Sequence, residues 1–129
     1  MIAHVQTADG LAVVDLEEEV VLELDPSREV EAAPRPELSL PLVVAAAVSG
    51  STIVAVVDTK PPLVVSHDSG RTWRESGRGL PAGRAVAISP DDPDVVLYAT
   101  RNRLYLSRDG GRFWVGLAPE LPEIGAVAL

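Results

Sequence analysis

The side chains of this 129-residue chain that could do chemistry are few and scattered. His4 and His67 could serve as general bases, but neither has a Ser or Asp spaced as a triad partner would be. Asp91, Asp92 and Asp94 in "SPDDPD" carry the oxygen ligands that hard cations take. In a loop between strands the same cluster reads as solvated turn residues, so no metal site and no cofactor are expected. Tyr98 and Tyr105 sit at alternating positions of apolar runs, where a ring belongs in the core or between sheets. No paired carboxylates recur at matching positions, as glycoside hydrolysis would require. The chain has no cysteine, which excludes disulfides, thiolate metal sites and cysteine nucleophiles. The most ordered constellation is "SHDSGRTW" at 66–73, which returns as "SRDGGRFW" at 107–114, 41 positions later.

The physics of that pattern is the physics of a turn. Asp68 and Asp109 can accept hydrogen bonds from backbone N–H groups a few residues on and close a hairpin from within. Gly70 and Gly111 fall where such a turn needs positive φ. Trp73 and Trp114 then open the next strand with a large ring to bury between neighbouring sheets. Ser66, Thr72 and Ser107 complete the pattern, and Phe113 stands where the second copy would have Thr. A structural role accounts for every position, and none of these residues is expected to be catalytic.

The elements that hold these turns repeat as well. "LPLVVAAAV" (40–48), "LPAGRAVAI" (80–88) and "LPEIGAVAL" (121–129) align without gaps at spacings of 40 and 41. "IVAVVDT" (53–59) matches "VVLYAT" (95–100), and "LVVS" (63–66) matches "LYLS" (104–107). The N-terminal "IAHVQTADGLAVVDLEEEVVLEL" fits the same frame in degraded form, its turn reduced to "DLEEE" without the Gly or the Trp. Residues 26–39, rich in Pro and Glu, read as an inserted loop. Val-rich runs between turn residues are strands. Four short antiparallel strands, A to D in chain order, at a period near forty are the signature of a β-propeller blade.

"SHDSGRTW" and "SRDGGRFW" resemble Asp-boxes, also called bacterial neuraminidase repeats, with the pattern Ser-x-Asp-x-Gly-x-Thr-Trp. Such boxes occur in sialidases, sortilin-type receptors, some xyloglucanases and photosystem II assembly factors. The resemblance covers residues 41–129 and implies a propeller in which the box is a folding element away from the active site. A sialidase-like activity would also require an arginine triad, a Tyr–Glu nucleophile pair and an acidic general acid. The sequence assembles none of these.

The strand count gives an all-β fold with about three blades: 1–25, 40–79 and 80–120. Residues 124–129 form only strand A of a blade, and residues 1–7 form only strand B. Propellers typically need four to eight blades, and an open arc exposes unpaired flanks. The economical solution is a homodimeric six-bladed ring, with strand 124–129 of one chain completing the blade begun by residues 1–7 of its partner.

Function reads less directly. The net charge of −8 is carried by residues 1–40, which hold ten acids against Arg28 and Arg35. That balance argues against nucleic acid and anionic membranes as partners. No secretory signal or membrane-length apolar run is present, so the expectation is a cytoplasmic protein. The B–C loops of a propeller line one mouth of the ring, which nominates Asp9, Lys60, Arg101, Asn102 and Arg103 as ligand-binding candidates. Arg78, Glu120, Glu123 and loop 26–39 come from the D–A side of that mouth. Arg101 and Arg103 could grip a carboxylate or phosphate, or could pair with the many Glu residues instead. The expectation is a non-enzymatic binding or scaffold module for a protein or carbohydrate ligand, with a glycoside hydrolase as the alternative.

Overall fold

The Val-rich runs become strands in the computed structural model, which describes residues 1–31 and 35–129. The strands are β1 Ile2–Thr7, β2 Gly10–Asp15, β3 Val20–Asp25, β4 Val43–Ser49, β5 Thr52–Val57 and β6 Leu63–Ser66. They continue with β7 Arg74–Ser76, β8 Ala85–Ile88, β9 Val96–Ala99, β10 Arg103–Ser107, β11 Val115–Glu120 and β12 Ile124–Ala128. They form three four-stranded sheets, in the orders β12-β1-β2-β3, β4-β5-β6-β7 and β11-β10-β9-β8. All pairings are antiparallel. Among the described residues there is no helix, and so none long and apolar enough to cross a membrane. The fold is all-β, and each sheet is a blade with strands A to D in the expected order.

Strand alternation decides how the blades pack. In the third blade, Leu97, Ala99, Leu104 and Leu106 face the first blade, against Ala3, Val5, Ala12, Val14 and Leu16. Val86, Ile88, Val96 and Tyr98 face the second blade, against Val54, Val56, Leu63 and Val65. The third blade is therefore central and apolar on both faces, with the second and first blades flanking it. Each fully buried Val or Leu contributes about 1.5–3 kcal/mol. Strands β4, β8 and β12 are the A strands of the three blades, with β8 in contact with both of the others.

Strand β12 pairs with β1 in the register His4↔Ala128, Val5↔Val127, Gln6↔Ala126 and Thr7↔Ile124. The sequence places this strand in a partner chain; in the structure the same chain supplies it. Residues 32–34 of the expected insertion lie outside the described residues.

The two outer flanks of the arc differ. On the first blade, His4 and Gln6 alternate with the buried Ala3 and Val5, and residues 28–31 lie beside His4 and Leu11. The Val30 N–H donates to Gln6 Oε1 over 2.8 Å. On the second blade the outward positions are apolar: Val44 and Val48 are 44% and 49% exposed, and Trp73 is half-buried near Ile53.

Candidate functional site

The two Ser-x-Asp-x-Gly turns join β6 to β7 and β10 to β11. In the first, Ser66 Oγ donates to Asp68 Oδ1 over 2.8 Å and accepts the Gly70 N–H over 2.8 Å. Asp68 also accepts the Thr72 N–H at 2.9 Å and the Thr72 hydroxyl at 2.6 Å. These donors lower the Asp68 carboxyl to about 2, the Thr72 hydroxyl contributing most. In the second turn Ser107 donates to Asp109 and accepts from Gly111, and Asp109 accepts the N–H groups of Arg112 and Phe113. Phe113 has no hydroxyl to add; the Asp109 carboxyl is still held below its ordinary value, chiefly by the Phe113 N–H. Gly70 and Gly111 adopt φ of 88° and 87°, as the turn requires.

The two tryptophans behave differently because their neighbours differ. The Trp114 ring lies 5.9 Å from Tyr98, and its Nε1–H crosses to Ser76 Oγ of the second blade over 3.0 Å. Ser76 Oγ in turn donates to the Gly111 carbonyl. Trp73 has no blade beyond it, and its Nε1–H bonds back to its own turn at Gly70 O, 3.0 Å away. Both rings are half-buried, and the expected packing between blades is made by Trp114 and not by Trp73.

At the B–C mouth the structure separates the nominated residues. Arg101 is exposed, with its guanidinium 4.0 Å from Glu123, and Arg84 pairs with the same carboxylate at 2.7 Å. These guanidiniums lower the Glu123 carboxyl, Arg84 first. Asn102 is tied into the loop: its Nδ2–H donates to Leu121 O, and its carbonyl accepts the Leu121 N–H. Arg103 Nε–H donates to Leu117 O over 3.2 Å, so it braces β10 against β11. Asp9 flanks the Ala8 N–H, which bonds to Glu123 O. Lys60 lies in a separate cleft of about 620 Å³ with Asp58, Leu80 and Pro81, and borders Arg78. Arg84 escaped notice in the sequence, because only the fold brings it beside Glu123.

The remaining chemistry-bearing residues are occupied by local structure. Asp92 and Asp94 hold their own turn, through Asp94 N–H to Asp92 Oδ1 and Val95 N–H to Asp92 O. Among the described residues no three His, Cys, Asp or Glu side chains converge as metal ligands. His67 Nδ1 lies 3.3 Å from Thr52 Oγ1. Burial pushes the Tyr98 phenol up, and its hydroxyl donates to Pro81 O at 2.6 Å.

No family model matches the chain, and no curated protein matches it. Among solved structures, it resembles the GH74 enzyme of Niastella koreensis, with 24% identity and a TM-score of 0.50. The match covers 92% of this chain and 17% of that enzyme. At that identity the likeness concerns the fold, and the three sheets match an arc of a β-propeller.

Proposed function

We propose that the chain is a non-enzymatic binding or scaffold module of the Asp-box propeller type, acting through the mouth formed by its B–C and D–A loops. One observation carries this reading: the carboxylates of Asp15, Asp25, Asp68 and Asp109 hold turns, and those of Glu17 and Glu123 sit in ion pairs. Asp15, Glu17, Asp25, Asp68, Asp109 and Glu123 are all lowered from their ordinary values. A glycosidic general acid needs the opposite perturbation. At the mouth, Arg101 is exposed and only loosely paired with Glu123, and Lys60 lies in its own cleft; each presents a cation to a polar or anionic ligand. The alternative, a glycoside hydrolase, draws its support from the fold of the GH74 neighbour, and fold likeness alone argues weakly for activity. Glycan-array retention that Arg101→Ala weakens, without turnover of chromogenic glycosides, would support the binding reading. Turnover lost on substituting an acidic residue would overturn it.

The same reading includes a homodimer. The second blade's outer face repeats the face that the third blade buries, with Trp73 at the place of Trp114; among the described residues no further sheet packs on it, and Val44 and Val48 stay exposed. A second copy placing its first blade there would close a six-bladed ring about a two-fold axis. Light scattering after size exclusion should then give about twice 13.6 kDa. Trp73→Ser should yield a folded monomer. A monomeric parent chain at high concentration refutes the ring and leaves the binding reading intact.

A further inference from the structure

The junction between the first and third blades differs from its counterpart one repeat earlier. Between the third and second blades, Trp114 bonds to Ser76, and the Gly111 turn approaches Val65. Val65 and Ser76 lie 41 positions before Leu106 and Leu117. The first blade should therefore set an indole ring against Leu106 and Leu117. It has none, because Val21 falls at that place in the ungapped self-alignment with Trp73.

A cleft of about 490 Å³ occupies the position instead, lined by Leu16, Leu106, Leu117, Val115 and Phe113. Phe113 and Val115 are 77% and 64% exposed, an unusual cost for large apolar side chains at the edge of a hollow. The volume falls in the range of small-molecule sites, roughly 300–1,000 Å³. The rim carries Glu17, Glu19, Asp109 and Arg108. Glu17 pairs with Arg108 and with the N-terminal ammonium, and Glu19 accepts the Ala118 N–H. Three carboxylates meet one guanidinium and the ammonium, so the rim is net negative by one charge and disfavours anions.

We propose that this cleft binds a planar aromatic ligand of indole size, neutral or cationic. The repeat supplies the shape argument, since the same slot one blade away is filled by an indole ring. The rim supplies the charge argument.

The test is an amide-resolved NMR titration of the full chain with indole, tryptamine and indole-3-acetate. Saturable shifts should map to Leu16, Leu106, Phe113, Val115 and Leu117. Tryptamine should bind at least as tightly as indole, with indole-3-acetate about two- to fivefold weaker. Val21→Trp restores the ring at its register position and should weaken binding at least about tenfold while raising Tm. Phe113→Ala should also weaken binding, with the fold kept. Absence of saturation, shifts mapping elsewhere, or undiminished affinity in folded Val21→Trp would overturn the proposal. Should Val21→Trp fail to fold, equal affinity of Phe113→Ala and the parent chain would overturn it too.

Discussion

Gly83 tests the packing between the second and third blades more sharply than any core residue. A Cβ at this position would lie 2.1 Å from Tyr98 Cε1 and 2.4 Å from its Oη. Ordinary contact needs about 3.5–4.0 Å, so either the ring or the backbone must move by more than an ångström. The ring has nowhere to go: Tyr98 is fully buried, with Tyr105 at 6.1 Å and Trp114 at 5.9 Å between centroids. Overpacking of this kind costs about 1–3 kcal/mol. Displacing the phenol also breaks its bond to Pro81 O, and a buried hydroxyl left without a partner costs a further ~1–3 kcal/mol. Gly83→Ala should therefore destabilise by about 2–6 kcal/mol, a large share of the about 5–15 kcal/mol typical of a domain. Urea denaturation at constant m gives the value directly. In a Tyr98→Leu background the clash is gone, and the same substitution should then cost less than about 1 kcal/mol. An equal cost in both backgrounds would refute the reasoning, because it would locate the strain in the backbone and not in the ring.

The other predictions concern the turns. Asp68 is lowered to about 2 when folded, from an ordinary 3.8, so its contribution is present above the higher value and lost as pH falls toward the lower. Asp68→Asn should lower Tm at neutral pH and flatten the acid limb between these values, as read by thermal melts against pH. Phe113→Thr should raise Tm, because it gives Asp109 the hydroxyl donor that Thr72 gives Asp68. Ser76→Ala removes the acceptor of the Trp114 Nε1–H and the donor to Gly111 O, both across the blade boundary. It should cost about 1–3 kcal/mol by denaturant titration.

The repeat made most of the architecture legible. A forty-residue period, Val-rich runs and two turn patterns are local features, and local features survive in a linear reading. The backbone bonds to Asp68 and Asp109 were readable because each partner lies within four residues, while the Ser66, Ser107 and Thr72 hydroxyl bonds emerged only from the structure. The blade sequence in space was harder. Whether β12 completes the first blade of its own chain or of a partner is a choice between long-range pairings that no periodicity encodes. The mouth was the least legible part. Asn102 and Arg103 looked like free binding groups, yet their partners, Leu121 and Leu117, are carbonyls that only the folded blade brings near. The cleft at Leu106 and Leu117 is marked in the sequence by a missing Trp, a signal that a motif search for residues present passes over.

The pairing of β1 with β12 also has a temporal side. His4 and Ala128 are partners in one sheet, so β1 leaves the ribosome well before the strand it pairs with. At about 5–20 residues per second that delay is roughly 6–25 s. During it the first blade has three strands, a bare inner edge and no third blade to cover Ala3, Val5 and Val14. The nascent chain in that interval exposes apolar surface of the kind that aggregates. Silent codon changes that slow the stretch before residue 124 should therefore lower the soluble yield without altering a single amino acid.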